Sequence, residues 1–216
     1  MPVIGKISIV FRGDRATRQA ATPANNRFHR IFEALAEVGI DAEPAVYKED
    51  FADEVRDQLL RADGVLVWVN PLQDGVTREK LDPMLRDVAA RGPWVSAHPD
   101  TILTMGTKEI LFRTKHIGWG TDTHLYRTTT AFKSEFPSRL ASAGPRVIKR
   151  NRGNDGQGVW KVARAGDRIE VLHAQRGSVP ETMTLDAFLA RCEGYFGEPN
   201  GCIVDQPFQP RLPDGM

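Results

Sequence analysis

A lysine followed by a glycine-rich loop carries the most chemical information in this 216-residue sequence. An apolar stretch ends in Lys149, three glycines follow, and a second apolar stretch begins at Val159. Glycines let the backbone approach a ligand and take positive φ, and their exposed N–H groups can form a concave anion site. Lys149 adds a point charge beside them, so the segment suits a polyphosphate. The loop consists of Gly153, Asn154, Asp155, Gly156, Gln157 and Gly158.

Two better-known phosphate loops do not fit this segment. No Gly-Lys-Ser/Thr of a P-loop is present, and the glycine order is G-x-x-G-x-G with a strand after it, where a dinucleotide-binding loop needs a helix. A plain Asn-Asp-Gly hairpin turn is the alternative that requires no ligand. The segment alone leaves that alternative open.

Two other segments favour the functional interpretation. The first contains Ser96-Ala97-His98-Pro99, then Met105-Gly106-Thr107-Lys108 and Thr121-Asp122-Thr123. The second is Asp205-Gln206-Pro207-Phe208-Gln209-Pro210, with Asp214-Gly215 shortly after. With the glycine loop between them, they resemble the ATP-grasp superfamily, in particular its glutathione-synthetase-like branch. The resemblance covers roughly residues 64–216.

The resemblance implies an ATP site and a reaction class. Lys108 and Lys149 would contact the nucleotide phosphates, and residues 153–158 would form a lid loop. The adenine would lie along Asp205, Gln206, Pro207 and Phe208. In complete form, such a protein is an ATP-dependent ligase: ATP phosphorylates a small carboxylate, and an amine or a thiol attacks the acyl phosphate. ATP and an unknown small carboxylate are therefore the expected partners.

The sequence also departs from the family pattern. Relatives carry an arginine soon after Asp-Gly, then an acidic residue and a Glu-x-Asn set that bind two magnesium ions, whereas this sequence ends at Met216. Arg150 stands where relatives often carry proline. We expect a truncated ATP-grasp chain that lacks the magnesium ligands. We assign no catalytic residue, and we predict that this chain does not turn over ATP. The alternative is a non-catalytic nucleotide-binding or interaction fragment, and Mg²⁺ is expected only in a complete version.

Apolar patterning predicts two parts with different architectures. Residues 1–98 alternate strands and helices, which predicts a small parallel sheet with helices on both faces, an α/β domain. Within it, we expect a loop after Gly13 and a helix that Asp82 caps and Pro83 starts. Later strands around the glycine loop predict an α+β unit. We place the domains at residues 1–100, 101–145 (a connecting segment, helical over 101–115) and 146–216.

Composition excludes several classes of partner. The formal net charge of +1 provides no field for nucleic acid or an anionic membrane, and no apolar run reaches the ~20 residues of a membrane-spanning helix. Cys192 and Cys202 have no C-x-x-C spacing, so we expect free thiols in a cytoplasmic protein. A last strand at 202–205 without neighbouring strands would expose an unpaired edge. We expect such an edge to favour self-association, for example as a homodimer.

Other polar residues give weaker signals. The five histidines lack an i, i+4 pair, so we predict no metal site. Arg12 and the Asn25-Asn26 pair follow the first strand, where an open α/β sheet offers its binding crevice. They are weaker candidates for contacts to a substrate.

Overall fold

The computed structural model describes residues 5–73, 75–118 and 122–210. The chain divides into two compact units, Met1–Thr104 and Met105–Met216. A further boundary near residue 145 stays a prediction. No helix in the described ranges has the length and apolar character needed to cross a membrane.

The first unit contains a parallel four-stranded sheet. Its strands in chain order are β1 (Gly5–Arg12), β2 (Ile40–Tyr47), β3 (Gly64–Val67), β4 (Leu72–Gln73), β5 (Val76–Thr77) and β6 (Trp94–Ser96). The sheet order is β2-β1-β3-β6, and β4 and β5 form a separate antiparallel hairpin. The predicted small parallel sheet is confirmed.

The helices of the first unit are α1 (Arg15–Ala20), α2 (His29–Glu37), α3 (Ala52–Leu59), α4 (Leu81–Ala90) and α5 (Pro99–Met105), with a 3-10 turn at Glu49–Phe51. Three of them, α2, α3 and α4, bury apolar side chains in its core. Val55 and Leu59 of α3 join Leu85 and Val88 of α4 in one core cluster with β-strand residues such as Val65. This spacing of three and four residues is the helical period that the sequence displays.

Two local predictions for this unit are wrong. Helix α4 begins at Leu81, so Pro83 lies inside its first turn and Asp82 is not the cap. Proline is tolerated there because the first N–H groups of a helix have no intrahelical partner. The loop expected after Gly13 contains α1, whose cap Asp14 accepts a hydrogen bond from Thr17 N. Helix α1 buries no residue, which explains why it leaves no apolar pattern.

The second unit contains an antiparallel six-stranded sheet. Its strands are β7 (His124–Tyr126), β8 (Arg146–Arg150), β9 (Val159–Ala165), β10 (Arg168–His173), β11 (Glu181–Met183) and β12 (Ile203–Pro207), in the order β11-β10-β9-β8-β12-β7. The helices are α6 (Ile110–Arg113), α7 (Thr129–Ala143) and α8 (Leu185–Cys192), with 3-10 turns at Lys115–Ile117 and Glu193–Phe196. The predicted mixed α/β architecture is confirmed.

The expectation of an unpaired last strand is wrong. Strand β12 pairs with β8 on one side and with β7 on the other. The physical reason is β7, a strand of three residues that supplies the neighbour the sequence pattern left out. The argument for a homodimer from an open edge at β12 therefore falls.

Helix α7 supplies much of the second core. Phe132, Phe136 and Leu140 recur every four residues and are buried beneath the sheet together with Phe188 of α8. Thr128 caps the helix by accepting a hydrogen bond from Ala131 N. Burying one apolar stripe of each helix against one face of the sheet gives this unit a core of its own.

A buried charge network fixes the position of β12. Asp205 and Arg146 are both 0% exposed, and Arg146 Nε donates to Asp205 Oδ1 at 2.6 Å. Arg139 Nε and the Tyr126 hydroxyl donate to Asp205 Oδ2 at 2.9 and 3.0 Å. Asp122 accepts from both arginines, and the hydrogen bond from Arg139 holds the pKa of its carboxyl below the usual value. Because a buried charge persists only when paired, this network restricts where β12 can lie.

Candidate functional site

Lys108 lies on a short segment between α5 and α6, where the sequence predicts a continuous helix. The backbone here is not helical, and its N–H groups bond to Asn151 instead. Lys108 N donates to Asn151 O at 3.0 Å, and Glu109 N donates to Asn151 Oδ1 at 3.0 Å. Asn151 is 3% exposed and directly follows β8. The segment carrying one lysine is thus tied to the end of the strand carrying the other.

Lys149 projects from β8 toward β12. Its Nζ donates to Gln206 Oε1 at 2.7 Å, and Gln206 Nε2 donates to Thr123 Oγ1 at 2.9 Å. The amide of Gln206 therefore bridges the ammonium group and a buried threonine. The charged network at the neighbouring Asp205 holds this part of β12 in place.

The two lysines lie close enough to interact electrostatically. Burial lowers the pKa of Lys108 first, and the positive charges of Lys149 and Arg150 lower it further. Burial also lowers the pKa of Lys149. In the described part of the chain, neither ammonium group has a carboxylate within ion-pair distance. Partly buried cations of like sign without counter-charges form a site whose chemistry favours an anion.

The glycine loop follows the strand that carries Lys149 and approaches Lys108 in space. It is longer than a two-residue turn. It spans residues 151–158 between the paired strands β8 and β9. The Asn-Asp-Gly turn is present at its tip, where Gln157 N donates to Asn154 O, so the binding of a ligand by this loop stays a prediction. Asp155, Gly156 and Gly158 have φ angles of 50°, 75° and 67°. At its start, Gly153 O lies 3.5 Å from Lys108 Nζ.

Close approach explains why glycine occupies two positions in this loop. A Cβ at Gly156 would overlap the carbonyl oxygen of Ala174, and a Cβ at Gly158 would come within 2.7 Å of Arg150 Cβ. Gln157 N donates to Asn154 O at 2.9 Å, and Asn154 Nδ2 donates to Asp155 Oδ2 at 2.7 Å. The loop therefore has a defined backbone path.

His173 anchors the far end of the loop. Its ring stacks on Trp160 at 4.1 Å between centroids, and Gly158 N donates to His173 Nε2 at 3.2 Å. Burial and the nearby Arg191 lower the pKa of His173, while Glu181 acts in the opposite direction. The bond from Gly158 requires an unprotonated Nε2, so the lowered pKa preserves it.

The β12 residues expected beside an adenine have different surroundings. The Asp205 side chain is fully buried in its ion pairs, so any role of Asp205 toward a base would concern its main chain. Gln206 faces Lys149, as described above. Pro207 ends β12 opposite Arg146. Phe208 N donates to Pro145 O at 2.9 Å, and Lys161 Nζ lies 4.4 Å from the Phe208 ring centroid.

Some sequence motifs lie beyond what the structure describes, and one site residue escaped the sequence argument. Thr121 and Asp214-Gly215 fall outside the described residues. Asn151 was missed, because its contacts to residues 108 and 109 depend on tertiary structure. Its only local signal is its place directly after a strand. Among residues 5–73, 75–118 and 122–210, no cluster of His, Cys, Asp or Glu is arranged to hold a metal ion.

Several solved structures align with most of this chain. A RimK domain ATP-grasp protein from Sphaerobacter thermophilus aligns with 94% of this chain at a TM-score of 0.52 and 16% identity. The VanG D-Ala:D-Ser ligase from Enterococcus faecalis aligns with 97% at 0.55 and 13% identity. N5-carboxyaminoimidazole synthetase from Staphylococcus aureus, solved with ADP, aligns with 96% at 0.51 and 9% identity. The chain has the ATP-grasp fold.

The ATP-grasp similarity concerns architecture. No protein-family model and no curated protein matches the sequence. The chain spans 64% of the S. thermophilus and E. faecalis chains and 48% of the S. aureus chain. The structural alignments support the ATP-grasp fold, at sequence identities of 9–16%. The reaction and the glutathione-synthetase-like branch stay predictions.

The close approach at Gly156 predicts the effect of one methyl group. Gly166 has a similar φ of 66° but open space around a Cβ, so Gly166→Ala is a matched control for the backbone term. We expect Gly166→Ala to cost about 1–2 kcal/mol and Gly156→Ala to cost a further ~1–3 kcal/mol from overpacking. Urea unfolding followed by circular dichroism measures both. Equal losses in the two variants would show that the loop does not need the close approach.

The anchor at His173 predicts a pH dependence of stability. Because its pKa is lower in the folded protein than the ordinary value of 6.5, its contribution is complete above that value and declines as pH falls toward the folded pKa. Urea unfolding at about pH 7.5 and about pH 5.5 should therefore show a larger loss of stability for the wild type than for His173→Gln. Identical pH dependence in both proteins would rule out the anchor.

Proposed function

We propose that the second unit binds the polyphosphate of ATP between Lys108, Lys149 and the loop at residues 153–158. The observation that carries this proposal is the pair of partly buried ammonium groups with lowered pKa values and no carboxylate partner in the described ranges. A polyphosphate would supply the missing negative charge. The ATP-grasp fold and the ADP bound in the S. aureus synthetase support the choice of nucleotide.

The residues present fit such a ligand. Lys108 and Lys149 would neutralise phosphate charge, and exposed N–H groups of the glycine loop would donate to phosphate oxygens. Gln206 would hold Lys149 in place through its 2.7 Å hydrogen bond. Asn151 would set the position of Lys108 through the backbone. Loop closure would exclude water from the bound phosphates.

We further propose that the whole protein is a carboxylate–amine or carboxylate–thiol ligase. ATP would supply a phosphoryl group to a small carboxylate, and the protein would contribute positioning and charge stabilisation. The described residues do not form a magnesium site, so no step is assigned to Mg²⁺. A cytoplasmic location stays a prediction. Release of ADP with a carboxylate and an amine would distinguish a ligase from a non-catalytic nucleotide-binding module.

Removal of one ammonium group tests the ATP site. Lys149→Met should weaken ATP binding by on the order of 2–5 kcal/mol, because phosphate charge would lose a partly buried partner. Lys133→Met is the matched control: Lys133 lies on the exposed face of α7 and pairs with Glu193. Isothermal titration calorimetry with ATP should show unchanged affinity for the control. Wild-type affinity in Lys149→Met would exclude the proposed site.

A further inference from the structure

A small cavity in the first unit lies at the carboxyl end of β1. Its volume is about 340 Å³, and its walls come from the end of β1, from α1 and from the segment before α2. Strand β1 is an inner strand of the parallel sheet, between β2 and β3. Open α/β sheets bind ligands outside the carboxyl ends of their strands. The polar residues around the cavity are Arg12, Thr17, Asn25, Asn26 and Arg27.

The hydrogen bonds divide these residues into a framework and free donors. Asn25 belongs to the framework, because its Oδ1 accepts from Thr22 N and its Nδ2 donates to Ala20 O, both at 2.8 Å. Its amide groups are thus used within the loop, which corrects the expectation that Asn25 contacts a ligand. Thr17 is also engaged, since its hydroxyl donates to Asp14 at 2.7 Å.

Asn26 retains a donor that faces no protein partner in the described ranges. The residue is 8% exposed, its Oδ1 accepts from Phe28 N at 2.9 Å, and its carbonyl accepts from His29 N at 2.9 Å. The bond from Phe28 N engages the side-chain oxygen, and the Nδ2 amide group has no acceptor in the described ranges. The Nδ2 atom is not one of the fully buried atoms that lack a partner, so it is accessible to a ligand that accepts hydrogen bonds.

Two arginines line the same cavity, and one of them is ion-paired. The Arg27 guanidinium lies 4.5 Å from the Phe28 ring centroid and has no ion pair or hydrogen bond within the described part of the chain. Arg12 is held rigidly, since its guanidinium donates to Glu49 at 2.9 and 3.1 Å and to Thr77 O at 2.7 Å. Its Nε is buried without a partner in the described ranges. Among the residues that the structure describes, the cavity lining contains no carboxylate.

From this arrangement we infer that the cavity binds an oxyanion, the carboxylate or phosphate group of a small molecule. Asn26 and Arg27 donate to its oxygens, and Arg12 supports one wall. A cavity of about 340 Å³ is at the lower limit for ligand pockets, which suits a compact molecule. The site lies wholly within Met1–Thr104 and does not depend on ATP binding by the second unit.

Nuclear magnetic resonance of the ¹⁵N-labelled full chain tests this inference. Inorganic phosphate and acetate are titrated separately at constant ionic strength. We expect saturable shifts of the Asn26 side-chain amide and of Arg27 Nε with at least one probe, and the responding probe identifies the anion class. Arg27→Gln should weaken binding about tenfold or more, as for loss of a charge-assisted hydrogen bond.

Arg30→Gln is the matched control, because Arg30 is also exposed and the change in charge is the same, but the residue does not line the cavity. It should retain the wild-type affinity, as should Lys149→Met, which separates this site from the ATP site. Absence of saturable shifts with both probes would overturn the inference. So would an equal loss of affinity in Arg27→Gln and Arg30→Gln, because the effect would then be general charge screening.

Discussion

Two ammonium groups that have no carboxylate partner among the described residues are the constraint around which the second unit is arranged. Burial lowers the pKa of both Lys108 and Lys149, so the fold holds these side chains where charge is disfavoured. Such an arrangement costs stability in the absence of a ligand. The backbone bonds from residues 108 and 109 to Asn151 connect the segments that carry the two groups, and Gln206 accepts a hydrogen bond from Lys149.

The placement of Lys149 depends in turn on a charge network that is fully paired. Asp205 directly precedes Gln206 on β12, and Arg146 lies on the neighbouring strand β8 opposite Pro207. Asp205 and Arg146 have no exposed surface. The energetic role of this network differs from that of the lysines: every charge has a partner, and the pairing specifies one position for β12. In its described residues, the second unit thus combines a set of paired charges, which fixes geometry, with two ammonium groups that have no carboxylate partner.

Much of the fold could be predicted from local patterns. The alternation of strands and helices over residues 1–98 predicted the parallel sheet, and the lysines and glycines of the loop were found from residue type and order. The remainder depends on contacts distant in sequence. Asn151 acts on residues more than forty positions away, and β7 is too short to show a pattern of its own. The sequence could not distinguish the roles of Asn25 and Asn26. Hydrogen bonds within the loop determine which side-chain amide group is free to bind a ligand. Helix α7 did carry a signal in Phe132, Phe136 and Leu140, which Pro137 obscures.

The titration of the two lysines tests the central claim most directly. Lysine side-chain NMR of the full chain can follow Lys108 and Lys149 with and without ATP, with the exposed Lys133 as an internal reference. We predict that both have a pKa below the ordinary value of 10.5 in the free protein and that ATP raises both, because phosphate charge stabilises the ammonium form. Binding of ATP that leaves both pKa values unchanged would contradict the account.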